Sequence, residues 1–467
     1  MSELPDEIEP APIPDAMDSA LGIVVRARAD GSPEVLLGKR AKTSRFMAGH
    51  LAFPGGKLEP SDEPARALAF ERCASRELLE ETGLAIPVEA WRDAGERTTP
   101  PFFPFRFRTR FFVAALPSGA ELPSAPPAPE EIEAVEFMAP SRVLAGWEEG
   151  RVMVPPPLLP ILRSMVAEPA SDPSSLAERI GRLNAEEQPV PRIEFTPGIW
   201  ALPVRSRTLP PASCTNVWIP GGRSFVVVDP GSADPEENAR LLAVIARRMA
   251  AGDRPRAVVL THHHRDHVAG AATVARALRI PIAAHPETLA RLPASDAPTE
   301  PIGADETLDL DGMTLRAVHT PGHAPGHLAF FDEARRVLIA GDLVSGLSTI
   351  LVGLDDGDMD LYLDSLAKAA ALAPATVLPA HGPPLPGRAL AAALAHRRER
   401  EARIVAALGE EPRDLAAIAE EAYADTPAAP AFLRERQALA HLERLERAGR
   451  AMRGDAAGRS WRAAARR

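Results

Sequence analysis

With only two cysteines among 467 residues, Cys73 and Cys214, the chain has neither a disulfide scaffold nor a cysteine-based zinc cluster. Thiols this sparse fit a reducing compartment. No unbroken apolar run is long enough to cross a bilayer, and the opening stretch, MSELPDEIEPAPIPD, is acidic and proline-rich without the apolar core of a targeting segment. A soluble cytoplasmic protein with no membrane partner is expected. An excess of positive charge is also missing. The formal net charge of −11 excludes a surface that grips polyanions indiscriminately, so any nucleic-acid contact must be local. No internal repeat is evident. Proline and alanine are plentiful and nearly every basic residue is arginine, a bias that gene composition explains as readily as disorder. The length exceeds one ordinary core and implies two or three domains.

The densest chemistry lies in THHHRDH, Thr261 to His267, directly after the apolar run AVVL, which reads as a buried strand. Alternate side chains of an extended chain share a face, so His262 and His264 point together. Asp266 and His267 follow where VAGAATVARAL begins a helix. Two adjacent ligand sets suggest two metals. The competing reading is a solvated polar turn, or core histidines paired with an aspartate, and neither needs ligands elsewhere. Yet three later apolar runs also end in a metal-binding residue: LRAVHTPGH brings His323, RVLIAGD brings Asp342 and TVLPAHG brings His381. In α/β sheets ligands gather beyond the carboxyl ends of strands. Imidazoles and carboxylates crowded there would be costly to desolvate without a cation.

These motifs, in this order, resemble the metallo-β-lactamase superfamily over about residues 191 to 387, including SCTNVWIPGGRSFVVVDPG. The resemblance implies an αββα sandwich in which His262, His264 and His323 hold one metal, Asp266, His267 and His381 hold the other, and Asp342 bridges. Two Zn²⁺ ions are the default occupants, with iron or manganese compatible with the same donors. Such a pair acidifies a shared water and polarises the attacked oxygen, and Asp266 is a candidate proton acceptor. His263, His319 and His327 match no ligand position and are expected to play supporting roles.

A second signal, FPGGKLEPSDEPARALAFERCASRELLEETGL, runs from Phe53 to Leu84 as a glycine turn leading to a helix dense in carboxylates. Glu77, Glu80 and Glu81 share one helical face and repel unless a cation sits among them, Mg²⁺ being the natural partner for hard oxygen donors beside phosphates; an acidic surface patch is the plainer alternative. RELLEETGL after PGG resembles the Nudix box of hydrolases that cleave a diphosphate linked to another moiety. By that resemblance Glu77, Glu80 and Glu81 bind Mg²⁺ or Mn²⁺ with the Gly56 carbonyl nearby, Glu80 and Glu81 serve catalysis, and Arg76 pairs with an acid to brace the helix. Leu68 stands where the usual pattern has glutamate, with Glu71 or Glu63 as substitutes, and the loop after Gly56 is lengthened. LLGKRAKTSRFMAGHLAFPGG and RTTPPFFPFRFRTRFFVAALP are similar to the coenzyme A diphosphatase branch, although His50 departs from its acidic residue. Arg45, Lys57 and Arg106 are candidate phosphate contacts.

The expected organisation is a Nudix α/β/α sandwich at 19–166, a polar, proline-flanked linker with a short helix at 167–190, the lactamase-like sandwich at 191–387 and a tail at 388–467. PSGAELPSAPPAP is a long loop inside the first domain. Three helical patterns and a short hairpin suggest that the tail is a winged helix resembling the one attached to the β-lactamase-like protein 2 family, whose known mitochondrial member is a single-strand-specific endoribonuclease. GDLVSGLSTILVGLDDGDMDLYLDSL is similar to that family too. Trp461 is expected to close the tail's core, and the interspersed glutamates argue for a mixed solvated face over a phosphate grip.

The leading expectation is a bifunctional metal-dependent hydrolase. One site would cleave a small-molecule diphosphate such as a nucleoside diphosphate derivative or coenzyme A. The other would cleave a phosphodiester in single-stranded RNA, or an ester or thioester. The alternatives are a nucleotide-sensing RNA-binding protein with a non-catalytic Nudix domain, and an acyl-CoA processor joining thioesterase to diphosphatase. Oligomeric state is not legible.

Overall fold

The computed structural model describes residues 11–41, 49–62, 68–149, 151–169, 172–186, 193–353, 356–427 and 429–464. It divides into two compact units, Ile13–Ala201 and Leu202–Arg467 with Met1–Pro12.

The first unit is built on a seven-stranded sheet whose central strand, Ala16–Ala27, runs parallel to Arg106–Ala115 and antiparallel to Pro33–Arg40 and Gly55–Lys57. Strand periodicity divides the apolar residues between two faces. Ala20, Val24, Leu36, Phe112 and Ala114 pack on the helix Ala69–Thr82 through Cys73, Ala74 and Leu78. Ile23, Val25, Val35, Leu37, Phe111 and Val113 pack on the opposite side against Val143, Trp147, Leu158, Ile161 and Leu162 of the helices Pro140–Glu148 and Leu158–Ala167. The result is the expected α/β/α layering.

The segment expected to be a linker differs over Pro173–Glu186, which is a helix of this unit with Leu176, Ala177 and Ile180 in the core. Its buried Asn184 donates to the Ala94 carbonyl at 2.7 Å and accepts from Arg97 Nε at 2.6 Å. The polar residues that suggest a tether occupy the outer face of an amphipathic helix.

The second unit holds two sheets. One contains Ile199–Arg205, Cys214–Pro220, Ser224–Val228, Arg254–Val259, Ile282–Ala284 and Thr299–Pro301, with the helices Pro235–Ala250 and Ala271–Leu278 against it. The other orders Thr307–Asp309, Thr314–His319, Leu328–Asp332, Val337–Gly341, Thr376–Pro379 and Leu385–Pro386. Its outer face buries Val318, Phe331, Leu338 and Ala340 under Tyr362, Leu363 and Leu366 of the helix Met359–Ala371 and Leu390 of the helix Arg388–Ala407.

The tail folds as Arg388–Ala407, Leu415–Ala422 and Ala431–Arg447, with a three-stranded sheet of Arg413–Asp414, Ser460–Ala463 and Ala451–Arg453. Trp461 is fully buried among Ile404, Ile418, Leu442 and Leu445, and its indole N–H donates to the Gly458 carbonyl at 2.9 Å. It serves the core. Among the described residues no helix is long and apolar enough to cross a membrane.

Candidate metal centre

Five strands of the second unit end in the residues that build one cluster. Asp229 follows Ser224–Val228, the THHHRDH turn follows Arg254–Val259, and His323, Asp342 and His381 follow Thr314–His319, Val337–Gly341 and Thr376–Pro379. Buried apolar strands thus carry polar side chains to a shared edge that none of them could occupy alone.

Three ring nitrogens form a tight triangle: His262 Nε2 to His264 Nδ1 is 3.0 Å, His264 Nδ1 to His323 Nε2 is 2.9 Å and His323 Nε2 to His262 Nε2 is 3.2 Å. The opposite nitrogens fix the tautomers. His262 Nδ1 meets Thr261 Oγ1 at 3.0 Å, and that hydroxyl donates to Asp229 Oδ2 at 2.6 Å, so the imidazole must be the donor. His323 Nδ1 donates to the Leu351 carbonyl at 2.8 Å. The inner nitrogens of both rings are therefore bare lone pairs that meet His264 Nδ1, a geometry in which three imidazoles can share one cation.

Beside the triangle lies a charged group. His267 Nε2 is 3.9 Å from Asp266 Oδ1 and 3.5 Å from Asp342 Oδ1, and His381 Nε2 is 3.4 Å from both Asp266 Oδ2 and Asp342 Oδ1. Asp342 turns its other oxygen to His323 Nε2 at 3.5 Å, so one carboxylate faces both sets. His267 Nδ1 donates to Asp229 Oδ2 at 2.9 Å and His381 Nδ1 to the Cys214 carbonyl at 3.1 Å, leaving both Nε2 atoms inward. His267 Nε2 and Asp342 Oδ1 are buried without a hydrogen-bond partner. Buried orphans of this kind beside ligand triads, His262–His264–His323 and Asp266–His267–His381, fit a pair of cations.

Electrostatics separates the halves. Burial, reinforced by neighbouring imidazoles, holds His262 well below its usual pKa and His323 down at about 4, which keeps both neutral. Burial acts the same way on His267 and His381, yet there it is overcome by Asp342 and Asp266, which hold His267 well above the usual value and His381 at about 10. Burial opposes ionisation of Asp266 and Asp342 as well, but the facing imidazoles keep Asp266 at about 2 and Asp342 well below the carboxylate range. In the cation-free protein, protons on His267 and His381 thus supply the positive charge that cations would otherwise bring.

Several supporting residues were not legible in the sequence. Asp229 is 2 % exposed and accepts from Thr261 N, Thr261 Oγ1 and His267 Nδ1, tying the two ligand sets together. Gly231 must be glycine, since a Cβ there would lie 1.7 Å from the Asp266 carbonyl oxygen. Asn216 donates to the Pro379 and Gly382 carbonyls at 3.0 and 2.8 Å and so pins the turn carrying His381. Of the three extra histidines, His327 accepts the Asp342 N–H at 3.1 Å and His319 stacks on His285 at 4.4 Å, both away from the inner nitrogens. His263 lies 2.9 Å from Asp356, another acid the sequence did not single out. Asp229→Asn is expected to lower cation affinity by about 10–100-fold with little loss of secondary structure. Titration of the cation-free protein against a competing chelator checks this, and unchanged affinity would remove Asp229 from the design.

The first unit's acidic helix is arranged differently. Its start, Leu68, takes φ +62° and caps nothing, so the helix is anchored instead through Arg76, which forks onto Asp62 at 3.0 and 2.9 Å and donates to the Lys57 carbonyl at 2.9 Å. Asp62, 3 % exposed, is the bracing acid; Glu63 lies outside the described residues. Arg76 Nη1 also holds Glu77 Oε1 and Glu80 Oε2, each at 3.0 Å. Gly55 N–H donates to Glu81 Oε2 at 3.0 Å, and a Cβ on Gly56 would lie 2.2 Å from Glu77 Oε1, so the glycine turn presses directly on the carboxylates. Among the described residues these three acids do not converge as tightly as the histidine cluster does. A cation that keeps several waters needs no closer approach.

Burial raises Glu77 and pushes Glu81 up to about 8. Because the folded value for Glu81 exceeds the ordinary one, its contribution to stability is intact below about pH 4.5 and is lost as pH rises through about 8. A cation beside the carboxylates offsets that loss, so Mg²⁺ should raise the unfolding temperature more at pH 8.5 than at pH 6. Glu81→Gln should flatten the difference in calorimetry. An Mg²⁺ effect independent of pH would contradict it.

Of the candidate phosphate contacts, Lys57 is exposed beside the helix. Arg106 is engaged with the backbone. It donates to the Thr99 and Pro14 carbonyls at 3.0 and 2.7 Å, which secures the strand entrance, because a guanidinium at a strand end finds backbone acceptors first. Arg45 lies outside the described residues.

Two domain families match the chain. The NUDIX domain family model matches residues 17–155, and the Metallo-beta-lactamase superfamily model matches residues 207–381. The chain joins these two domains. A hydroxyacylglutathione hydrolase of Acidiphilium cryptum is 34 % identical over 160 residues, covering 33 % of this chain and 61 % of that protein. The atrochrysone carboxyl ACP thioesterase AacuM of Aspergillus aculeatus is 35 % identical over 157 residues, covering 32 % of this chain and 46 % of its own length. The chain therefore spans about half to three fifths of these relatives. A beta-lactamase domain protein of Burkholderia ambifaria shares the fold, with a TM-score of 0.52 at 24 % identity over 59 % of this chain and 94 % of that one.

Proposed function

We propose that the chain is a bifunctional metal-dependent hydrolase, whose second unit cleaves a thioester and whose first unit cleaves a diphosphate linkage in a small molecule. The observation that carries this reading is the set of inward-facing imidazole nitrogens of His262, His264, His323, His267 and His381 gathered around Asp342. Held by these residues with Asp266, a pair of Zn²⁺ ions, or iron or manganese, would supply Lewis acidity that acidifies water and polarises the attacked carbonyl. The protein's own groups do the rest. Thr261, Leu351 and Cys214 fix ring tautomers by hydrogen bonds, and Asp229 orients His267 while anchoring Thr261. Asp266, kept ionised at neutral pH, binds and relays a proton without retaining it. Glu77, Glu80 and Glu81 would hold Mg²⁺ or Mn²⁺ beside the phosphates in the first unit.

A thioester is favoured over RNA for two reasons. Relatives matching the second unit include a hydroxyacylglutathione hydrolase and an ACP thioesterase. Moreover several of the tail's arginines are engaged with acids: Arg400 with Asp425, Arg444 with Asp360 and Glu401, and Arg453 with Glu443 and Glu446. Acyl-CoA contains both scissile groups. Chromatography of acyl-CoA, acylated glutathione and single-stranded RNA incubated with the Zn²⁺- and Mg²⁺-loaded protein tests the reading. Release of free thiol from the thioesters is expected. Cleavage of the RNA alone would move the second unit to phosphodiester chemistry, and turnover of nothing in the set would overturn the proposal.

A further inference from the structure

The chain between Asp342 and the helix Met359–Ala371 touches the histidine triangle on one side and the C-terminal helices on the other. Toward the triangle, the Leu351 carbonyl accepts from His323 Nδ1 at 2.8 Å. Asp356 places one oxygen 2.9 Å from His263 Nε2 and the other 3.6 Å from His264 Nε2. A hydrogen on His264 Nε2, the atom that Asp356 faces, leaves Nδ1 free toward its two neighbours.

Toward the tail, the Ile350 carbonyl accepts from Arg397 Nη2 and from Gln437 Nε2, the latter at 2.9 Å, and Arg397 Nη1 donates to Gln437 Oε1 at 2.8 Å. Both side chains are buried. Gly353, at φ +93°, lies so close to the helix Ala431–Arg447 that a Cβ would come within 2.8 Å of Ala440 Cβ. Beyond Asp356, Arg447 reaches Asp358 at 3.1 Å and Asp360 at 2.8 Å. A buried arginine and a glutamine converging on one carbonyl form a costly arrangement unless the position of that carbonyl matters.

We propose that Ser345–Gly353 together with Asp356 is a positioning strap: clamped by Arg397 and Gln437 of the tail, it sets the tautomers of His323 and His264 so that their inner nitrogens stay free for the first cation. The tail is thereby a working part of the metal centre and not an appended module. Asp356 and the clamp are positioning residues, since they act only through the two rings. His263, which lacks a ligand role, completes the grip on Asp356.

The proposal rests on the cation reading, but its first test needs no metal. In ¹⁵N-labelled cation-free protein, long-range imidazole correlation spectra should show His264 as the Nε2–H tautomer and His323 as the Nδ1–H tautomer. Asp356→Asn should convert a substantial share of His264 to the other form, and Asp356→Glu should restore it. On loading with Zn²⁺ against a chelator, Asp356→Asn should weaken the first cation by about 10–100-fold and leave the second within about threefold. Gln437→Leu, remote from every ligand, should weaken the same cation and not the other. Unaltered tautomers and cation affinities in Asp356→Asn and Gln437→Leu would overturn the proposal. So would an equal loss at both cations in each variant, which marks general loosening of the unit. Failure of the wild-type protein to take up any cation would instead count against the hydrolase reading, leaving the tautomer result to stand on its own.

Discussion

Asp342→Ala is expected to abolish thioester hydrolysis while leaving Mg²⁺-dependent diphosphate cleavage intact. Among the described residues Asp342 is the carboxylate that faces both sets, 3.5 Å from His323 and 3.4–3.5 Å from His381 and His267. Its loss removes the carboxylate between the two sets and leaves the positively charged imidazoles with Asp266, and His267 also with Asp229. Bound cations contribute several kcal/mol of charge stabilisation, so the rate should fall by about 10³-fold or more. The fold should persist, because the Asp342 N–H still donates to His327 and the apolar strand Val337–Gly341 is untouched. Steady-state kinetics of both reactions on one preparation checks this. Parallel loss of both activities would indicate unfolding, and retention of both would remove Asp342 from catalysis.

Glu80→Ala is expected to give the reverse pattern, with diphosphate cleavage reduced by about 10²–10³-fold and thioester hydrolysis unchanged. Glu80 is the exposed member of its triad, at 57 % side-chain exposure, and the member freest to meet a hydrated cation and a phosphate. Removing it takes only one partner from Arg76, which keeps its fork onto Asp62. The helix should therefore hold its place. If Glu80→Ala cleaves diphosphates at the wild-type rate, the first unit works without this acid and the sensor alternative gains ground.

The residues that cluster in the second unit were legible because metal chemistry limits residue type and strand ends limit position. Histidine or aspartate after each of several apolar runs is a pattern that a solvated turn does not repeat. Asp229, Thr261 and Asp356 escaped because they act through other side chains, and nothing in their spacing reveals which ring nitrogen they face. Asp229 sits after VVV in the same way as the ligands do, and that position was the available signal. Arg76 was expected to brace the acidic helix, yet its partner, Asp62, lies in the lengthened loop, where local periodicity gives no register. A short helix was legible at Pro173–Glu186, but not its packing: Leu176 and Ile180 join the first unit's core.

Anomalous scattering from crystals of the Zn²⁺-loaded protein tests the pocket most directly. Two peaks are expected, one enclosed by His262, His264 and His323 and one by Asp266, His267 and His381, with Asp342 between them. A single peak elsewhere, or none beside these residues, would contradict the catalytic reading of the second unit.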